Sequence, residues 1–222
     1  MAALAALLLL SCQRQEHRQT RHGEAVPQPQ LALLTGLPLV FGEGFSLEAA
    51  KHPVIARLER DYQVRLVDGP EQLGTARLLL AAQPRALTAG RLVALDEWVR
   101  AGGRLVLLAD PLLSWPTDLP LGDPQRPPYE YADTGLLAHW GLRLERPDSS
   151  RAAMLTLAGQ AVATPSPGTL NGTGGKCRIS PDRHSAACGL GKGRAVVVAD
   201  ADFLRSAAGP EALAEQLEQL KR

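Results

Sequence analysis

Gly103-Arg104-Leu105-Val106-Leu107-Leu108-Ala109-Asp110 and Gly193-Arg194-Ala195-Val196-Val197-Val198-Ala199-Asp200 are two copies of one pattern, ninety positions apart (103 to 193). Each runs from a glycine and an arginine through an apolar stretch of strand length to an aspartate. Short apolar runs without polar alternation suit strands buried on both faces, as in a parallel sheet covered by helices. In such sheets ligands bind beyond the carboxyl ends of the strands, where both aspartates fall. The repeat therefore predicts a parallel sheet and says where a site on it would lie.

Outward from the repeat, strand and helix signals alternate. Gln30–Thr35 reads as a first strand, followed by the glycine- and proline-rich stretch Gly36–Gly44. His52–Tyr62 carries Val54, Ile55, Leu58 and Tyr62 at helical spacing, and Val64–Val67 and Arg77–Ala82 read as strands. Thr88 is a good N-cap for a helix with Leu92, Leu95, Trp98 and Val99 on one stripe, closed by Gly102-Gly103. After Asp110 a proline-rich loop runs to about Tyr131, then a short helix over Thr134–Trp140 and a strand at Leu142–Leu144. Residues 147–193 turn serine-, threonine- and glycine-rich with short alternating segments, predicting β-hairpins inserted before the last core strand. Gly209-Pro210 opens a closing helix with Leu213, Leu217 and Leu220. The expected architecture is a three-layer α/β domain over residues 30–222.

Length and composition bound the function. A chain of 222 residues with 45% apolar content buries one sizeable core. Only 4% of residues are aromatic, so aliphatic side chains fill it. Lys+Arg 24 against Asp+Glu 23 leaves a net charge of +1, which argues against a nucleic-acid partner. Met1–Ser11 is almost wholly apolar; about ten such residues span roughly 15 Å as a helix, half a bilayer core. That length fits a signal-peptide h-region, and Leu9-Leu10-Ser11-Cys12 resembles the lipobox of bacterial lipoproteins, in which the cysteine is lipidated. Residues 1–12 are thus expected to be a signal and lipobox-like segment, and 13–29, rich in Gln, Arg and His, a flexible tether. No lysine or arginine precedes the apolar run, and Arg14, Arg18 and Arg21 follow it, which opposes export. Cys177 and Cys188 flank the turn-like Ser180-Pro181-Asp182. On a hairpin they would face each other as a disulfide, which belongs to an oxidising compartment; otherwise they are free thiols.

Two stretches carry a family likeness. Ala94–Pro111 resembles the helix, double glycine and strand of the ABC-type transport-associated domain family, which includes the auxiliary component of the gliding-motility ABC transporter. Gly191–Phe203 resembles the same family's late strand and acidic loop. The resemblance implies a flavodoxin-like, class I glutamine amidotransferase-like fold, and ABC-transporter membrane subunits or envelope proteins as partners. The amidotransferase nucleophile sits in a Gly-x-Cys-x-Gly elbow; Cys188-Gly189-Leu190-Gly191 leads into a strand rather than out of one, so that chemistry is not expected.

The candidate ligand-binding residues are Asp110, Asp200 and Asp202 with Thr35 and Glu43 from the first loop, and Trp115 from the proline-rich loop. Gathered carboxylates would hold a sugar's hydroxyls or a hard cation; equally, aspartates after strands cap turns and bind backbone amides. The glycines 36, 42 and 44 match neither the phosphate-loop nor the dinucleotide spacing. Ser114, His139 and Asp110 are near one another in sequence, without a nucleophile elbow. No metal centre and no cofactor are expected. The sequence reads as a non-catalytic extracytoplasmic accessory or ligand-binding domain on the periplasmic side, held to the membrane only through Cys12. The alternative is a carboxylate- or metal-dependent hydrolase or transferase.

Overall fold

The computed structural model describes residues 28–42, 51–147 and 151–222; Cys12, the segment 1–27 and Glu43 lie outside them. In chain order the first half holds β1 (Gln30–Thr35), α1 (Pro53–Leu58), β2 (Gln63–Leu66), β3 (Leu78–Ala82), α2 (Ala89–Arg100) and β4 (Arg104–Leu108). The second half holds α3 (Leu136–His139), β5 (Leu142–Glu145), β6 (Ala153–Leu157), β7 (Gln160–Thr164), β8 (Thr169–Gly172), β9 (Cys177–Ile179), β10 (Ser185–Leu190), β11 (Gly193–Val198) and α4 (Gly209–Lys221).

The two repeat strands lie side by side. β4 and β11 pair in parallel with Arg194 abreast of Arg104 and Val198 abreast of Leu108, so equivalent residues of the pattern are neighbours. The main sheet runs β2-β1-β3-β4-β11-β10-β9. Its first five strands are parallel; β10 and β9 add antiparallel at one edge. Successive side chains of each parallel strand enter opposite cores. Leu31, Leu33, Leu80, Val106 and Val198 pack with α1, α4 and the β6–β7 hairpin. Ala32, Leu34, Leu79, Leu107 and Val197 pack with α2, α3 and the β5–β8 pair. This is why the runs lack polar alternation: both faces are covered, giving the three-layer flavodoxin-like, glutamine amidotransferase-like α/β fold.

Local signals act where the sequence places them. The Thr88 hydroxyl accepts from Arg91 N–H at the start of α2, and Leu95 and Val99 are buried. The His52 ring caps α1 by accepting from Val54 N–H at 3.3 Å. Regular helix there ends at Leu58, four residues short of the periodic pattern, with turns carrying Tyr62 into the core. The β-rich segment 147–193 precedes the last core strand, and its strands are shared among three sheets. β6 and β7 form a free hairpin, β8 pairs with β5, and β9 and β10 extend the main sheet.

Cys177 and Cys188 face each other across β9 and β10 and form a disulfide, with Cα atoms 4.0 Å apart. The bond staples a three-residue edge strand that pairs with β10. Closing a loop of this separation, 11 residues, contributes about 2–3 kcal/mol in the chain-entropy account. The double variant Cys177→Ser/Cys188→Ser is therefore expected to lose about that much in a guanidinium titration. An unchanged midpoint would show that the staple does not stabilise the fold.

Candidate ligand pocket at the carboxyl edge of the sheet

Four strands deliver polar residues to the carboxyl edge: Thr35 at the end of β1, Gln83 after β3, Asp110 after β4 and Asp200 after β11. The Thr35 hydroxyl donates to Ala82 O and accepts from Leu37 N–H, both at 2.9 Å, closing the β1 loop onto β3. Gln83 is wholly buried and has φ 44°, a left-handed conformation that costs a non-glycine residue energy. Its side chain donates to Asp110 O at 3.0 Å and accepts from Asp110 N–H at 2.8 Å. Its own carbonyl accepts from Gly36 N–H at 3.1 Å. Gln83 thus ties the loops after β1, β3 and β4 together.

The aspartates converge and are almost fully enclosed. Asp110 is 0% exposed and accepts from Leu112 N–H at 2.8 Å and Ala201 N–H at 3.0 Å. Asp200, also 0% exposed, accepts from the Thr164 hydroxyl and, at 2.9 Å, from Phe203 N–H. Asp202 accepts from both the amide and hydroxyl of Ser114 at 2.7 Å, and its Oδ1 is buried without a hydrogen bond. Burial pushes Asp110 up to about 6 against the pull of its backbone donors, with the Asp202 charge adding to the rise. Asp200 is held well above the usual carboxylate range, by burial first and the Asp110 charge second. In this arrangement the carboxylates cap turns and join the loops after β4, β7 and β11. Among the described residues no cluster of three His, Cys, Asp or Glu is arranged to hold a metal ion.

Trp115 packs half-buried over the core, its ring 5.4 Å from that of His52 and 5.9 Å from the Arg205 guanidinium. Ser114, His139 and Asp110 do not assemble. Ser114 donates to Asp202, while His139 stands beside Asp96 and Arg100. His184 is engaged by Gly168 O at 2.7 Å.

A cavity of about 260 Å³ opens instead at the ends of β1 and β2. Its walls are Leu37, Pro38, Val40 and Phe41 from the β1 loop, Leu66–Asp68 after β2, Arg85 after β3, and Leu119, Pro124 and Gln125 from the proline-rich loop. The strand order 2-1-3-4-11 turns direction between β1 and β3, the crevice where open α/β sheets bind ligands. Phe41 and Leu66, 36% and 41% exposed, are among the large apolar residues left to solvent, and both line this cavity. The Arg85 guanidinium donates to Arg126 O at 3.0 Å and has no carboxylate partner among the described residues. Of the candidate ligand-binding residues that the structure describes, Thr35 lines the cavity; Asp110, Trp115, Asp200 and Asp202 lie elsewhere on the edge. Arg85, Gln83 and Thr164 went unnoticed in sequence. For Gln83 a signal exists: one amide side chain directly ending a strand of leucines and alanines. For Thr164, 36 positions from Asp200, there is none.

No curated protein matches the chain. Among solved structures, the cytoplasmic protein STM3548 from Salmonella typhimurium superposes with a TM-score of 0.54 at 8% identity, covering 86% of this chain and 98% of its own. The Salmonella typhimurium cytoplasmic protein STM1381 gives 0.52 at 11% identity, covering 76% and 86%. Gan42B, a GH42 β-galactosidase from G. stearothermophilus, gives 0.53 at 16% identity over 87% of this chain. This chain spans only 30% of that enzyme's length. At these identities the likeness is one of fold. The sequence itself matches the profile of a domain of unknown function, DUF4350, over residues 54–217, most of the folded core and both repeat strands, and the chain therefore belongs to the DUF4350 family.

Proposed function

We propose that the chain is a non-catalytic accessory domain of an ABC-transport-like system of the cell envelope, and that it binds a small ligand or partner segment in the β1/β3 cavity. The observation that carries this reading is the cavity itself. It sits at the switch point of the sheet, has an apolar wall partly open to solvent, and holds an arginine that forms no ion pair among the described residues. Asp110 and Asp200 support it from the other side, since their oxygens already serve as caps. The resemblance of Ala94–Pro111 and Gly191–Phe203 to the transport-associated family supplies the partner class. An oxidising location, with tethering through Cys12, fits the disulfide.

In-cell photocrosslinking from position 66, followed by purification from solubilised native membranes, tests it. The expected product is a complex with an ABC-transporter membrane subunit, lost in Arg85→Glu while unfolding stability stays within about 0.5 kcal/mol. Crosslinks confined to bulk proteins would refute the envelope role. The second reading, a carboxylate-dependent hydrolase or transferase, is favoured by one observation, the buried unpartnered Asp202 Oδ1 beside an Asp110 raised to about 6. Turnover of ester or glycoside substrates abolished by Asp110→Asn in a folded protein would establish it instead.

A further inference from the structure

The amino-terminal edge of the same sheet carries positive charge. β4 and β11 both begin with arginine after their glycine, and the register sets Arg104 directly beside Arg194. Arg194 pairs with Gly189 of β10, and Gly189 N–H donates to Lys176 O at 3.1 Å. Arg104, Arg194 and Lys176 therefore stand in one row across four strands. At about 4.8 Å per strand, the row is roughly 14 Å long. Strand alternation puts Arg104 and Arg194 on the face of Val106 and Val196, the face that carries α4. Arg178 stands two residues further along, opposite Ala187.

Two clefts follow this row. One, of about 480 Å³, is lined by Lys176, Arg178 and Arg194, with the small Ala187 and Gly189 between them. α4 presents uncharged Gln216 and Gln219 to it. The other is lined by Arg77, Arg104 and Lys221 together with Pro29 and Gln30. Among the described residues, neither cleft has a carboxylate or an aromatic ring in its wall. Arg77, Arg104, Lys176, Arg178 and Arg194 form no ion pair among the described residues. Like charges abreast in a sheet are destabilising, so such a row is a cost to the fold that an anionic partner would relieve.

We propose that this basic edge is a docking surface for an anionic phospholipid membrane. Charge complementarity gives the class of partner. The occupant follows from the chain's course: Pro29 and Gln30 lie in the second cleft, so the segment bearing the apolar Met1–Ser11 joins the domain at this edge. With no ring for bases to stack on among the described residues of either cleft, and a net charge of +1, a nucleic acid fits less well. Docked in this way, the domain turns its carboxyl edge and the β1/β3 cavity away from the bilayer. The inference goes beyond the accessory role above and does not depend on it.

The test is co-sedimentation of the full chain carrying Cys12→Ser, so that no acyl chain contributes, with two kinds of vesicle: phosphatidylcholine alone, and phosphatidylcholine with phosphatidylglycerol. Preference for the anionic vesicles is expected at low salt and should fade as the Debye length shrinks below about 10 Å. Near such a surface each cation changes partitioning about fivefold, so Lys176→Gln/Arg178→Gln/Arg194→Gln should lower the preference about a hundredfold. Arg143→Gln/Arg151→Gln/Arg183→Gln removes equal charge elsewhere and should leave it unchanged. Equal binding to both vesicles, an equal loss in the two triple variants, or displacement of the chain from vesicles by duplex DNA would each overturn the proposal. A thermal melt of each variant shows that the fold is retained, since exposed substitutions shift stability by no more than about 0.5 kcal/mol.

Discussion

Gly193→Ala is expected to destabilise the protein by about 3 kcal/mol or more, a large share of the roughly 5–15 kcal/mol typical of a folded domain. A Cβ at Gly193 would lie 1.8 Å from Val99 O and 2.5 Å from Gly103 O. Both neighbours are backbone, so neither can rotate away. Val99 belongs to the last turn of α2, whose end is pressed against the starts of β4 and β11; Gly103 N–H donates to Trp98 O, and Arg194 N–H to Gly103 O. The first glycine of the repeat has the same task, since a Cβ at Gly103 would meet the Trp98 ring at 2.4 Å. The pattern thus begins with glycine because a helix end lies where a side chain would go. Gly90→Ala is the counterpart. Position 90 is in α2 with open space around it, so the change should stabilise by roughly 0.5–1 kcal/mol. Urea midpoints for the two variants should move in opposite directions; a Gly193→Ala protein as stable as the parent would sink the packing argument.

The second large effect concerns pH. Asp110 titrates near 6 in the folded chain, against about 3.9 when unfolded. Its pKa is raised on folding, so its contribution to stability is complete below about pH 4 and is lost as pH rises through 6. At about 1.4 kcal/mol per unit, the loss by pH 7 is about 3 kcal/mol, and Asp200 shifts in the same direction. His52 opposes this. Burial first and Arg205 second lower its pKa, so the unfolded chain takes up that proton first and stability falls below about pH 6.5. Asp182, which burial alone would raise, is held low by Ser180 and the His184 amide, so its contribution is lost only at more acid pH. Comparing the parent with Asp110→Asn isolates the Asp110 contribution. The parent's stability relative to the variant should decline by about 3 kcal/mol between pH 4 and 7. A flat difference across that range would mean that Asp110 is ionised throughout and is not strained by burial.

Much of the fold was legible because its signals are local. The apolar runs of β1, β3, β4 and β11 are unbroken since both faces are buried, and Thr88 caps α2 through a neighbour three residues on. The turn between Cys177 and Cys188 is short enough for spacing alone to suggest the pairing. The fate of residues 147–193 was not legible in the same way. An alternating strand looks alike whether it joins the main sheet, as β10 does, or pairs with β5, as β8 does. Only the presence of an open strand edge decides between them.

The site divides along the same line. From sequence alone it followed that polar side chains would gather beyond the carboxyl ends of a parallel sheet, because strand direction and strand ends are written in neighbouring residues. Tertiary structure decided which of them face a ligand. Asp110 and Asp200 are drawn inward because loops 91 and 36 residues away supply their hydrogen-bond partners, Ala201 and Thr164. Thr35, Arg85 and Leu66 come to share a cavity through strand order, which places β1 between β2 and β3. A carboxylate's partners and a cavity's walls are set by contacts distant in the chain, and such contacts leave no mark in the spacing of residues.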